Sequence, residues 1–442
     1  MSHTRANVPE PRVLPRPEHR ISRKDLSEAA LKVLYRLSKA GYTAYLVGGA
    51  VRDLMLGRRP KDFDVVTNAR PREVRRLFRN SRIIGRRFRL VHVLFRGETV
   101  EVSTFRATPG EPERETAWEN GEEQEVGNGN GSVEEEAIYG TPGEDAFRRD
   151  FTVNALFYDI SDFSLIDYVG GLEDLERRMI RTIGDPDRRF EEDPVRMMRA
   201  LEYAVRLGFE LDPATEDAIG RCRELIREAA PARLTYEIGE ALRSGTSAGV
   251  LRAFDGAGLL GLLLPEAAAA GDRLWPVLER LDAQVAERGP APEPVLLGAT
   301  FLPRALEILE PLMADGRRVD NPALLSGLAA LLDPAGARMH LPKGIVHQIH
   351  HGLFTLSKLG RPPSSGRQVL RLVRQDSFPV AWALFDLWVH AADGPRPAWE
   401  AWSRAVQRVR EEGPQADPDR LVEGATRGRK RRRRPRRRRK RS

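Results

Sequence analysis

The chain has 442 residues, 41% of them hydrophobic and 31% charged, with a formal net charge of +8. That length leaves room for two or three domains, and no apolar run approaches the ~20 residues that cross a bilayer. A single cysteine, Cys222, excludes an intramolecular disulfide framework and a cysteine-based zinc cluster, and points to a reducing, cytoplasmic setting.

The positive charge is unevenly placed. Residues 427–442 read RGRKRRRRPRRRRKRS, with thirteen Lys or Arg and no acid, so the preceding 426 residues carry a formal −5. Like charges repel and nothing apolar is there to bury, so 413–442 reads as a disordered, Arg-rich tail. Its expected role is sequence-independent attraction to nucleic-acid phosphates.

At the other end, residues 1–20 are rich in Pro and Arg, lack the apolar stretch of a secretory signal, and read as a disordered arm. Leu26, Ala30, Val33, Leu34 and Leu37 recur at helical spacing and predict a helix from Ser22 to Ala40. Strands are expected at 43–48, 62–67, 90–96 and 99–105, with a helix from Pro71 to Arg79 between the second and third. Residues 107–140 break the pattern. From Glu111 to Glu136 they hold ten Glu and one basic residue, Arg114, and read as a flexible surface insert. Ala155–Ile160 and Leu165–Val169 read as a hairpin, Gly170-Gly171 ends it, and Leu172–Met179 predicts a short helix. From Pro194 onward the periodicity is helical. The predicted class is α+β: a small mixed-sheet head over 21–175, a helical segment over 176–265, and a helical body over 266–412.

The chemistry concentrates at the head's start. Tyr45-Leu-Val-Gly48-Gly49-Ala-Val-Arg52-Asp is followed by Asp62-Phe63-Asp64. Strand side chains alternate, so Asp62 and Asp64 share one face while Phe63 takes the other. Paired carboxylates suit divalent cations, which prefer oxygen. Gly48 and Gly49 let backbone N–H groups approach a phosphate, and Arg52 lies in the first helical turn beyond them. Together they predict a nucleoside-triphosphate and Mg²⁺ site. Two acids are candidates to complete the metal shell: Glu101, in an alternating strand, and Asp150, in Arg148-Arg149-Asp150-Phe151. Spacing leaves that choice open. Farther on, Asp193-Pro194 suits a helix start, and Arg196 and Arg199 share a face of that helix. A carboxylate held with a guanidinium could read adenine or cytosine, since both present an exocyclic amine beside a ring-nitrogen acceptor.

LVGGAVRD…KDFDV, RRDFTVNALFY, DYVGGLEDL and EEDPVRMMRA resemble, in this order, the motifs of the class II nucleotidyltransferase superfamily, whose catalytic core is polymerase-β-like. The resemblance runs from about residue 40 to 265 and more weakly to about 400. The superfamily holds bacterial poly(A) polymerases and tRNA CCA-adding enzymes. Residues 78–93, the N-terminal extension and the Arg-rich tail look most like the former. The resemblance implies Asp62 and Asp64 as the metal-binding pair and Asp150 as the third catalytic acid. It also implies Gly49, Arg52, Arg149, Asp193, Arg196 and Arg199 around the incoming nucleotide. The expected reaction is AMP transfer from ATP to RNA 3′ ends with two Mg²⁺ ions, by a cytoplasmic monomer, CCA addition being the alternative.

Overall fold

The computed structural model describes residues 9–85, 89–107, 139–314, 320–413, 417–418 and 421–422. They divide into two compact units whose boundary falls between Pro265 and Glu266.

The first unit is organised by one mixed sheet. In chain order it contains β1 (Arg12–Leu14), α1 (Glu28–Lys39), β2 (Ala44–Val47), α2 (Gly49–Met55), β3 (Asp64–Thr67) and α3 (Pro71–Leu77). Then come β4 (Ser81–Ile84), β5 (Leu90–Phe95), β6 (Glu98–Thr104), α4 (Pro142–Arg148), β7 (Leu156–Asp159) and β8 (Leu165–Asp167). The strand order is β1-β8-β7-β2-β3-β6-β5-β4. Every pair is antiparallel except β3 and β6. The parallel pair is possible because α3, β4 and β5 lie between them and let the chain return in the same direction. Val47, Val66, Phe105, Ala146, Ala155, Phe157, Ile166 and Ile183 pack into one buried cluster, with Tyr45 against it. α1 lies across β2, β3 and β6 and buries Ala30, Val33, Leu34 and Leu37 completely.

Beyond the sheet come α5 (Gly171–Arg177), β9 (Met179–Ile180), α6 (Pro186–Glu192), α7 (Val195–Leu207), β10 (Glu210–Leu211), α8 (Pro213–Cys222), α9 (Pro231–Arg243), α10 (Ser247–Gly256) and α11 (Leu260–Leu263). α12 (Pro265–Ala268) begins at the boundary. The DYVGG motif is explained here. Asp167, 4% exposed, accepts N–H groups from Val169, Gly170, Gly171 and Leu172 at 2.9–3.0 Å, and so starts α5 where the donors would otherwise be orphaned.

The second unit is helical: α13 (Leu274–Arg288), α14 (Glu293–Ala314), α15 (Asn321–Arg338), α16 (Lys343–Leu359), α17 (Gly366–Val373), α18 (Phe378–Ala391) and α19 (Arg396–Glu412). α16 packs on α14, α15 and α18. Buried Asp386 of α18 accepts from Arg280 of α13 at 2.9 Å and from Gln284. No helix among the described residues is long and apolar enough to cross a membrane.

The α+β class expected from the pattern is the observed one, with local differences. Arg12–Leu14, expected in a structureless arm, pair antiparallel with β8 as an edge strand. The first long helix starts at Glu28 instead of Ser22, because two caps compete. Ser22 closes a capping box around the single turn Arg23–Asp25, and Ser27 then accepts Ala30 N–H at 3.0 Å and opens α1. The strand β4 had no expectation. Neither did the parallel two-residue pairing of β9 with β10, an exception to the helical reading past Pro194. The bulk of the 107–140 insert and the 427–442 tail lie outside the described residues.

Candidate active site

The sheet register assembles the site. Val47, the last residue of β2, pairs with Asp64, the first of β3, and with Phe157 of β7. The chain therefore leaves β2 into Gly48-Gly49 beside the point where Asp64 enters the sheet. Gly48 N–H donates to Leu156 O at 3.3 Å, which pins the turn to β7. Gly48 has φ +73° and ψ −139°, a region closed to side chains other than glycine's. On the other side of β3, parallel pairing sets Asp64 opposite Glu101 of β6, and antiparallel pairing sets Glu101 opposite His92 of β5. His92 Nε2 is 3.5 Å from Glu101 Oε2.

Asp62 sits in the loop before β3. Asp62 and Asp64 are exposed while Phe63 between them is buried, as alternation requires. Protein crowding around the Asp64 carboxyl, together with Glu101 and Asp62, pushes it up to about 6 against the lowering pull of Arg149. Among the described residues no three metal-ligating side chains already surround one point. The fit to a cation is chemical: neighbouring hard-oxygen donors whose mutual repulsion a dication would relieve. Mg²⁺ characteristically takes only one or two carboxylates and completes its shell from water and substrate phosphate.

Arg149 brings a cation to this site. It ends α4 with its guanidinium 2.9 Å from buried Asp145, 5.6 Å from the Phe157 ring centre, and against Gly48, where an added Cβ would lie 3.5 Å from its Nη1. It thus faces both the Gly-Gly turn and Asp64.

The other expected residues fall into two groups. The first is a closed network. Arg52 is 3% exposed and commits its guanidinium to Asn154 (2.5 Å) and Asp53 (2.8 Å), over the Tyr203 ring. It is therefore buried beneath the turn, not reaching out of it. Asp150 accepts from Arg199 at 2.7 Å, from Asn154 at 3.2 Å and from Phe151 N–H at 2.8 Å. Burial alone would raise its carboxyl, but Arg199 and these donors hold it below the usual carboxylate range. Arg199 also reaches Tyr203 Oη (2.8 Å) and Glu237 of α9 (3.4 Å). Of the two candidates for a third acid, Glu101 is the one the register brings beside Asp64; Asp150 is engaged with Arg199.

The second group is around Asp193. The expected Asp193–Arg196 pair is not made. Asp193, 6% exposed, is gripped by Arg233 of α9 through both oxygens at 2.9 and 2.7 Å, and also accepts Val195 N–H. Arg196 instead bonds Glu192 and Arg189 O, both at 2.9 Å. α7 begins one residue later than expected, at Val195, with Pro194 preceding it.

Asn154, Tyr203, Arg233 and Glu237 were not foreseen from the sequence. Asn154 was visible inside RRDFTVNA, and Arg233, Glu237 and Glu240 were visible as one i, i+4, i+7 stripe.

Residues 44–181 match the family described as the poly A polymerase head domain. Residues 208–270 match the family described as the probable RNA and SrmB-binding site of polymerase A. Poly(A) polymerase I of Salmonella typhi is 52% identical over 234 residues, 53% of this chain and 49% of that protein. Poly(A) polymerase I of Escherichia coli O6:H1 is 51% identical over 238 residues, 54% of this chain and 50% of that protein. The CCA-adding enzyme of Lactobacillus johnsonii is 38% identical over 231 residues, covering 51% and 52%. The chain spans about half the length of these curated relatives. A tRNA nucleotidyltransferase solved with a primer tRNA and an incoming ATP analogue shares the fold, with TM-score 0.55, 23% identity, and 86% of this chain and 99% of that one covered. So does a CCA-adding enzyme in an apo form, with TM-score 0.58, 18% identity, and coverages of 88% and 85%.

Proposed function

On the premise that residues 44–181 form a poly A polymerase head domain, we propose that the chain is an RNA-specific adenylyltransferase. It would transfer AMP from ATP to an RNA 3′-hydroxyl, release pyrophosphate, and repeat without a template. The observation that carries this reading is the register that sets Asp64 beside Glu101 on one side and the Gly48-Gly49 turn on the other. Carboxylates and the glycine turn that opens α2 meet there.

Asp62, Asp64 and Glu101 would hold two Mg²⁺ ions. When bound, these supply activation of the attacking hydroxyl and neutralisation of the leaving pyrophosphate. Gly48 would shape the turn, the Gly49 N–H at the start of α2 would donate to a triphosphate oxygen, and Arg149 would neutralise a phosphate oxygen from beside Asp64. Arg52, Asn154, Asp150 and Arg199 act as positioning residues that keep the Gly-Gly turn and α7 in register. Their polar atoms are spent on one another. At the base end, Arg233 and Val195 N–H use three of the four lone-pair directions of Asp193. One on Oδ2 remains to accept an exocyclic amine, and Arg196, one turn from Asp193, would donate to the ring nitrogen. The helical unit beyond residue 265 and the basic tail would hold RNA.

Adenine and cytosine both satisfy this reader, so the test is extension of an unstructured RNA with ATP or CTP supplied separately. Long A-tails support the proposal. Addition of only three nucleotides, restricted to tRNA, overturns it in favour of CCA synthesis.

A further inference from the structure

Three groups of the site converge on one helix. Arg233 of α9 grips Asp193, Glu237 pairs with Arg199, and Glu240 takes Lys61, the residue before Asp62, at 2.8 Å. Positions 233, 237 and 240 lie on one face of a helix, and position 236 belongs to the same stripe. That position is Tyr236, 60% exposed and the most exposed Phe, Tyr or Trp among the described residues. Partial burial raises its phenol, Glu240 adds to the rise, and Lys61 opposes it, so the ring lies within the field of these same groups.

The neighbours on this stripe are charged and paired, and each ties α9 to a part of the site. Tyr236 projects among them with most of its surface open to water. An exposed aromatic face can hold a single-stranded base by stacking, which needs no sequence-specific hydrogen bond. A template-independent enzyme requires that tolerance at its primer end, since the terminal base belongs first to any RNA and later to its own product.

We propose that Tyr236 is the stacking platform for the 3′-terminal base of the RNA primer. The inference rests on the adenylyltransferase reading for its substrate, and on the α9 stripe for its position. The platform discriminates against no base. It requires a planar ring at 236, and it acts on RNA without touching ATP.

The test uses the full chain with a short unstructured RNA and with the same RNA carrying an abasic 3′-terminal residue. Tyr236→Ala should raise the Kd and KM for the intact RNA about tenfold, while ATP affinity without RNA stays at the wild-type value. Tyr236→Phe should behave as wild type, because the ring is kept. The abasic RNA should bind wild-type protein about as weakly as Tyr236→Ala binds intact RNA, and Tyr236→Ala should lose nothing further on it. Unchanged RNA affinity in Tyr236→Ala, an equal loss in Tyr236→Phe, or additive losses with the abasic RNA would each overturn the platform. Wild-type protein that binds the RNA but adds no nucleotide overturns the adenylyltransferase reading instead, and the Kd series then still judges Tyr236.

Discussion

Asp64 and Asp150 are acids on neighbouring parts of one site with opposite electrostatics, and pH separates them. Asp64 has its carboxyl raised to about 6 from an ordinary 3.8, so the folded, metal-free protein holds this proton more tightly than the unfolded chain. Its ionisation therefore costs stability as pH rises between those values, and the cost persists above 6. Asp64→Asn should stabilise metal-free protein at pH 7.5 by about 1 kcal/mol, after discounting for exposure, and by nothing near pH 3; thermal melts in EDTA check it. Protons also compete with metal, so Mg²⁺ affinity read by calorimetry should fall as pH drops through about 6. Asp64→Ala should cut AMP transfer by ~10³-fold or more with the fold unchanged. Asp150 is held low by Arg199, so the stability it contributes is present above the ordinary carboxylate range and is lost as pH falls through its lowered value. Asp150→Ala leaves Arg199 without its main partner and should cost about 3 kcal/mol in denaturant melts. The alternation that puts Asp62 and Asp64 together was legible in the sequence. The choice between Glu101 and Asp150 was not, because it depends on β3 pairing in parallel with a strand that begins thirty-four residues after Asp64. Asp193 presents the same difficulty, since its partner Arg233 comes from a helix forty residues on.

At the scale of elements, the loop carrying Asp62 is held by helices outside the sheet. Arg58 donates to Arg206 O and Leu207 O at 3.2 and 3.1 Å, satisfying carbonyls at the C-terminus of α7. Lys61 reaches Glu240 of α9. Asp62 stands outside the β3 ladder, so these two ties set its position. Glu240→Gln and Arg58→Ala should each raise the Mg²⁺ concentration for half-maximal activity, by about tenfold for a support of this kind. The KM for RNA should stay unchanged, and Lys61→Arg should keep wild-type behaviour. Helices and strands were readable wherever apolar spacing was regular, as in α1, β6 and α7. Their ends were less so. Ser22 looked like the start of α1 until Ser27 offered a second cap, and Arg12–Leu14 became a strand because β8 presented an open edge. Both outcomes depend on which partner is nearby, and local sequence does not hold that information.

Across the whole molecule, charge and chemistry are segregated. The first 426 residues are formally −5 and contain the complete acidic site, while the positive balance belongs to residues 427–442. Removing 427–442 should weaken RNA binding and flatten its dependence on salt, with little change in the rate of the bound complex. An undiminished salt slope would assign the phosphate contacts to the helical unit. The acidic insert is a separate matter. Arg106 and Tyr139 face each other in an isolated bridge, Gly140 N–H donates to Phe105 O at 2.8 Å, and a Cβ on Gly140 would come within 2.6 Å of the Ala107 backbone. The chain thus departs at 107 and returns to the same spot by 139, just past the strand that bears Glu101. Replacing 108–138 with a short Gly-Ser turn should leave the melting temperature within a few degrees, because loop closure depends only weakly on length. Such a junction is a port. An engineer can graft a reporter or a targeting module there while the strand beside it, which bears Glu101, keeps its register.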